Sequence, residues 1–383
     1  MTGSPGPAVT GGVGQPVTYA SAGVDVEAGD KAVELMKAAV ARTHGPQVLG
    51  GIGGFAGLFD VSALKDFRRP LLATSTDGVG TKVAVAQAMD IHDTIGFDLV
   101  GMVVDDIVVC GARPLFMTDY IACGKLVPER IAAIVGGIAA ACEQAGCALV
   151  GGETAEHPGL LGADEYDVAG AAVGAVEAGQ LRGPDRVRAG DVVLAMASSG
   201  LHSNGFSLVR RVLAVNGWDY HRHVDELGRT IGEELLVPTR VYAADIVDLA
   251  AGLGRDLHAV SHVTGGGLAA NLARVLPRGV LATLDRGTWA PSAIFGLVAR
   301  LGQVPQSDLE RTLNLGVGMV AVVAETAVDA ALARLAARGL PAWVLGAVRD
   351  DDASGASAHD QETVQGAKGV DGGAVRLVGS YRV

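Results

Sequence analysis

Glycine-bearing clusters recur along the chain, each directly behind a short apolar run or directly ahead of a helical one. That punctuation restricts the fold more than any other feature. Asp77-Gly78-Val79-Gly80-Thr81-Lys82 follows the apolar run Leu71–Thr76, and Gly151-Gly152-Glu153-Thr154-Ala155-Glu156 follows Cys147–Val150. Ser199-Gly200-Leu201-His202-Ser203-Asn204-Gly205 follows Asp191–Ala197 and precedes a helical stretch, and His262-Val263-Thr264-Gly265-Gly266-Gly267 precedes another. Glycine behind a strand lets the backbone turn sharply and lets N–H groups converge on an anion. The chain has 55 glycines in 383 residues, well above the usual ~7%. They follow no Gly-X-Y period, so the surplus serves turns and anion-binding loops.

The runs between the clusters alternate in type. Apolar residues at helical spacing (Val33, Met36, Val40) predict a helix over 29–43. Helices are also predicted over 92–110, over 128–146 with Pro128 in the first turn, over 206–215, 238–253 and 268–276. Short strands are predicted at 71–76, 115–123, 147–151, 166–176, 191–197, 280–284, 317–323 and 343–348, and Val375–Val378 is expected to return as an edge strand. Strands and helices mix in both halves without a strict βαβ period. That favours an α/β (α+β) fold of two mixed layered domains over a barrel. A polar, turn-like stretch at 182–190 puts the division near 180, giving domains over 18–180 and 181–383. Residues 1–17 read as a disordered tail and 350–373 as a solvated, flexible loop.

Charge and composition exclude several classes. The net charge is −12 and no Lys/Arg run occurs, so no basic face offers itself to a nucleic acid. No uncharged apolar run reaches membrane-spanning length. No basic residue precedes Lys31, which argues against a secretion signal and makes the cytoplasm the expected location. Cys110, Cys123, Cys142 and Cys147 form no CxxC pair, so they read as reduced apolar side chains rather than zinc ligands.

The clusters carry the chemistry. Asp77 is placed to hold Mg²⁺, with the amides of Gly78, Gly80 and Thr81 and the ammonium of Lys82 meeting phosphate; the alternative is a glycine turn with a surface lysine. Asp105 and Asp106 interrupt an apolar helix, where burying an acid is costly unless a cation offsets it. Asp106 is the preferred metal ligand, with a solvated helix face as the alternative. Glu153 could complete the set or merely cap a helix. The loops at 199–205 and 262–267 each lead into a helix, a ready anion site, and His202 and His262 are possible proton carriers or ordinary structural histidines. GxxxxGK[ST] and G-x-S-x-G are absent, which argues against a P-loop and a serine hydrolase. Gly51-Ile52-Gly53-Gly54-Phe55-Ala56 fits a dinucleotide fingerprint but lacks a clear strand before it and a strong helix after it.

Taken in order, these stretches resemble the aminoimidazole ribonucleotide synthetase family. The matching segments are AGVDVEAGD (22–30), LGGIGGFAG (49–57), TDGVGTK (76–82), HDTIGFDLV (92–100), DDIVVCGARPLF (105–116), CALVGGETAEHPG (147–159), YDVAG (166–170), GLHSNGFSLVR (200–210), PTR (238–240), HVTGGG (262–267) and NLGVGM (314–319). The resemblance implies ATP-dependent ring closure of formylglycinamidine ribonucleotide, a phosphorylated small molecule, with ATP and Mg²⁺ required. It implies a homodimer whose N-terminal sheets meet in a barrel with ATP near the interface. It assigns Asp77, Asp106 and Glu153 to metal, Lys82 to phosphate, and Ser203, Asn204, Gly205, Thr264, Gly265 and Gly266 to the substrate. His202 or His262 would carry a proton, and the stretch 50–57, with Gly53 and Gly54, would be a flap over ATP. The chain departs from the family's usual pattern at Ala20, where a lysine is common, at Asp105, where asparagine is usual, at His157, and in the 350–373 loop.

Overall fold

The computed structural model describes Thr18, residues 22–351 and residues 363–382. The tail at 1–17, Ala20 and residues 352–362 of the expected loop lie outside the described residues.

In the first half, α1 (Val26–Arg42) starts at Asp25, whose side chain accepts the Ala28 N–H at 3.0 Å. A two-stranded ribbon follows, β1 (Val48–Leu49) with β2 (Leu58–Phe59). Then come β3 (Pro70–Gly78), α2 (Val83–Met89), α3 (Ile95–Val108), β4 (Arg113–Cys123), α4 (Pro128–Ala145), β5 (Ala148–Glu156) and β6 (Tyr166–Glu177). The four long strands form one sheet in the order β3-β6-β4-β5, with only β4 and β5 parallel. Helix α3 covers one face. A Cβ added at Gly170 or Gly174 would meet Leu99 and Ile107 of that helix. The opposite face keeps large apolar groups in solvent, with Leu72 at 69% and Tyr120 at 41% exposure.

The second half contains β7 (Val192–Ala197), α5 (Phe206–Val215), the small pair β8 (His223–Val224) and β9 (Arg229–Thr230), α6 (Ile231–Leu235), α7 (Ala243–Leu253) and β10 (Leu257–His262). It continues with α8 (Gly267–Ala273), β11 (Val280–Asp285), α9 (Ala293–Gly302), α10 (Gln306–Thr312), β12 (Val317–Val323), α11 (Val328–Ala337), β13 (Ala342–Asp350), β14 (Thr363–Ala367) and β15 (Val370–Val378). Seven strands make its sheet, in the order β10-β12-β7-β13-β11-β15-β14. The central strands are covered on both faces: Val193 and Ala195 join one apolar cluster, Leu194 and Met196 the other. That explains their continuous apolar sequence. The second cluster reaches across both halves, from Ile95 and Leu99 to Met319 and Ala321.

Several expectations shift. The strand at 147–151 runs on to Glu156, so Glu153 lies inside a strand and caps no helix. The helix expected from 238 begins at Ala243, because Pro238–Tyr242 turn their backbone groups to residues of the first half. The 350–373 loop contains β14 and the start of β15, and β15 is an interior strand with β14 at the edge.

Helices α3 and α4 touch backbone to backbone: a Cβ at Gly96 would lie 1.9 Å from the Ile138 nitrogen. No rotamer change relieves a clash with a helix backbone. Gly96→Ala is expected to destabilise the protein by about 2 kcal/mol or more in urea unfolding, and an unchanged midpoint would contradict this packing.

Candidate active site

The glycine clusters of the two halves meet. A cavity of about 270 Å³ is lined by Asp77, Gly78, Val79, Gly80 and Thr81 from the end of β3, Met102 from α3, and Ser203, Asn204, Gly205, Phe206 and Ser207 from the start of α5. Thr81 Oγ1 and Ser207 Oγ stand 3.2 Å apart across it. Helix α5 starts at Gly205 without a side-chain cap, so its first N–H groups face the cleft free to receive an anion. Asn204 Oδ1 accepts the Gly265 N–H at 3.0 Å, tying the 262–267 loop alongside. Asn271 fixes that loop from beneath, donating to the Thr264 carbonyl at 3.0 Å and the Gly267 carbonyl at 2.8 Å.

Asp106 and His262 join the same region. Asp106 leaves α3 with 43% of its side chain exposed, and its Oδ1 meets His262 Nδ1 at 2.9 Å. Burial lowers the His262 pKa, but the Asp106 hydrogen bond and the charges of Asp105, Asp106 and Asp77 together outweigh it and the net direction is upward. Asp106 therefore bonds the imidazole directly, and Asp77 lies within electrostatic range of it. Asp77 Oδ1 accepts the Gly78 N–H at 2.7 Å, which holds the β3 terminus in its turn.

Other predicted residues lie elsewhere. Lys82 is completely buried. Its Nζ donates to Asp98 Oδ1 at 2.7 Å, the Val237 carbonyl at 2.8 Å and the His202 carbonyl at 3.1 Å. An ammonium with three protons so placed has no donor left for a phosphate. Burial pulls Lys82 down and Asp98 up, and their mutual attraction opposes both shifts. His202, with backbone φ at +62°, is also buried. Its Nε2 accepts the Ser199 N–H at 3.1 Å. Burial, with the charges of His262, Lys82 and Arg240, holds its pKa well below the usual value, so it stays neutral and suits loop shaping better than proton transfer.

Glu153 does not reach Asp77. It pairs with Tyr120, Tyr120 with Ala169, and Ala169 with Gly78. Three inter-strand steps of about 4.8 Å put it roughly 14 Å from that turn. It shares the open face with Tyr120, whereas Asp77 shares the α3 face with Gly170. Among the described residues no group of at least three His, Cys, Asp or Glu side chains is placed to hold a metal. Gly53 and Gly54 sit in the β1–β2 turn, whose Gly57 lies against Val150 of β5, at the far edge of the sheet from β3.

Two residues carry more than the sequence disclosed. Asp98 Oδ1 also accepts from the Thr239 N–H at 3.0 Å and Oγ1 at 2.6 Å. An acid inside an apolar helix was the available signal for Asp98, the same one that marked Asp106. Asp105 is fully buried, and its two oxygens accept the Tyr242 N–H at 3.0 and 3.1 Å. It therefore faces the second half, away from the cleft.

The fold and the paired clusters define an AIR synthase-related protein. The model of the AIR synthase related protein N-terminal domain matches residues 61–176, and that of its C-terminal domain matches 188–358. Among solved structures the fold resembles thiamine-monophosphate kinase from Stenotrophomonas maltophilia K279a (TM-score 0.61, 20% identity, 91% of this chain and 96% of that one). It also resembles E. coli HypE (TM-score 0.59, 19% identity, 94% and 95%). Phosphoribosylformylglycinamidine cyclo-ligase of Desulfitobacterium hafniense (strain DSM 10664 / DCB-2) is 50% identical over 331 residues, 86% of this chain and 96% of the relative. That of Anaeromyxobacter dehalogenans (strain 2CP-1 / ATCC BAA-258) is 52% identical over 332 residues, 87% and 95%. The chain belongs to the phosphoribosylformylglycinamidine cyclo-ligase family, ATP-dependent ligases of purine biosynthesis.

Burial pushes the Asp105 carboxyl up to about 7, against the opposing charge of His262 and the Tyr242 hydrogen bond. Its unfolded value is ~3.9. The folded protein therefore favours the protonated form, and this stabilisation is complete below about pH 4 and lost as pH rises through about 7. Asn cannot ionise. Asp105→Asn should gain on the wild type by about 1–3 kcal/mol between pH 5 and pH 8, read from urea midpoints at each pH. A difference independent of pH would contradict the assignment.

Proposed function

We propose that the cleft between β3 and α5 closes the ring of formylglycinamidine ribonucleotide at the expense of ATP, releasing aminoimidazole ribonucleotide, ADP and phosphate. The observation that carries this reading is the meeting of two glycine loops around one cavity that Asp77 lines, with the Asp106–His262 pair held on the neighbouring 262–267 loop. Phosphoryl transfer asks a protein for little besides positioning and charge stabilisation. The amides at Gly78–Thr81 and the α5 N-terminus supply fixed donors that need no reorganisation when charge develops.

Asp77 and Asp106 fit a magnesium ion. Both are accessible carboxylates, and Mg²⁺ usually takes one or two carboxylates, leaving its other positions to phosphate and water. When bound, the ion would neutralise charge on the transferred phosphoryl group. His262 keeps Asp106 in one orientation through its Nδ1 contact, and of the two histidines it is the one at the acids. Ser203, Asn204, Gly205, Thr264, Gly265 and Gly266 hold the ribonucleotide.

In the reaction, the formyl amide oxygen attacks the γ-phosphorus and ADP leaves, giving an iminophosphate. The amidine-side nitrogen then attacks the activated carbon. The C–O bond breaks, phosphate departs with that oxygen, and the ring nitrogen loses a proton.

The open face of the four-stranded sheet supports a homodimer in which two such sheets meet as a barrel. Leu72 and Tyr120 would be covered there, and Glu153, on the same face, could reach a nucleotide only across that interface. No described helix is long and apolar enough to cross a membrane.

ADP release from the full chain should depend on formylglycinamidine ribonucleotide. Asp106→Asn should lower kcat by about 10²–10³ while urea stability stays within about 1 kcal/mol. Undiminished kcat in a folded Asp106→Asn protein would overturn the metal assignment.

A further inference from the structure

We propose that Lys368, carried on the β14–β15 hairpin, is a phosphate-binding residue of the cleft. This rests on the reading of the cleft as a phosphoryl-transfer site and deepens it.

The cavity wall has no cation of its own. None of the residues lining it, Asp77 to Thr81, Met102 and Ser203 to Ser207, is lysine or arginine. Lys82 is committed to the interior. Beyond a metal ion on the two acids, a site that must accept several phosphate charges has no side-chain cation unless another segment brings one.

The hairpin does so. Ala367 pairs with Val370, leaving Lys368-Gly369 as a two-residue turn. Both residues have positive φ, +50° and +78°, as a type I′ turn requires. Lysine takes this conformation less readily than asparagine or glycine, so the sequence places a long cation where a small residue would sit with less strain. Its direction is set by the fold. The Lys368 Cε lies 3.7 Å from where a Cβ on Gly266 would stand, directly over the 262–267 loop.

The hairpin base is anchored. Gly373 donates to the Leu276 carbonyl at 2.9 Å, and a Cβ at Gly372 would lie 2.1 Å from the Ala273 carbonyl oxygen at the end of α8.

The Lys368 ammonium is bonded to no acceptor among the described residues. Its surroundings fit a shared anion. Partial burial and the charge of Arg274 draw its pKa down, while Asp106 and Asp77 draw it up. It therefore stands within electrostatic reach of both proposed metal ligands. A phosphate between Lys368 and a metal on those acids would satisfy each.

The phosphate has two possible sources, the ribonucleotide's monoester and the nucleotide's transferred group. Steady-state kinetics of the full-length enzyme separate them, each reactant being varied in turn. In Lys368→Ala the KM of one phosphate-bearing reactant should rise roughly tenfold, and Lys368→Arg should recover most of it. A rise for formylglycinamidine ribonucleotide assigns the monoester, and a rise for ATP assigns the transferred phosphoryl group. Both KM values within twofold of wild type overturn the proposal. Should the wild type itself release no ADP, the cleft reading fails first. Calorimetric titration with inorganic pyrophosphate then decides: tenfold weaker binding in Lys368→Ala supports the residue's role, and equal binding overturns it.

Discussion

The Lys82–Asp98 pair is the interaction on which the rest depends. It is buried on every side, and its partners come from three places: α3 through Asp98, the loop before α5 through the His202 carbonyl, and the segment before α7 through Val237 and Thr239. A buried ion pair contributes little net stability beyond what apolar packing would give. Its value here is geometric. Removing either partner strands a charge in the core, so the two halves dock in the one arrangement that satisfies both. That arrangement brings the end of β3 against the start of α5.

The cleft inherits its shape from this docking. Helix α3 is shared: Asp98 faces the clamp, Asp105 holds the Tyr242 N–H, and Asp106, one residue on, reaches the cleft and His262. Successive helical residues point about 100° apart, so adjacent acids serve opposite sides of one helix. Asp105 takes a structural hydrogen bond that a neutral group could also accept. Its carboxyl therefore sits inside the domain contact, where burial favours the protonated form.

Much of the architecture was legible in the sequence. Helix 206–215 and strand 317–323 follow directly from periodicity, and the two mixed sheets follow from the alternation of runs. The stretch 257–262 escaped notice as a strand because His258, Ser261 and His262 interrupt its apolar character, although all six residues are buried. The extension of β5 through Glu156 was hidden by paired glycines, which usually end a strand.

The site was legible in its parts but less so in its assembly. Sequence order identified the loops at 77–82, 199–205 and 262–267, and the structure joins them. It could not show that Lys82 turns inward, because a lysine behind a glycine turn looks solvent-facing until a buried aspartate is placed beneath it. Nor could it show that Glu153 lies across the sheet from Asp77, since strand order is a tertiary property. Lys368 was concealed in a stretch whose Gly, Ser and Asp content reads as loop.

With all three ammonium protons engaged in the interior, Lys82 acts as a structural clamp rather than a phosphate ligand. A double-mutant cycle with Lys82→Ala and Asp98→Ala, read both as unfolding free energy and as KM for ATP, tests it most directly. The clamp predicts that each single change costs about 3–5 kcal/mol, and that the double costs clearly less than their sum, with a coupling of at least about 1 kcal/mol. Stability within about 0.5 kcal/mol of wild type in Lys82→Ala, accompanied by a large rise in KM for ATP, would contradict it.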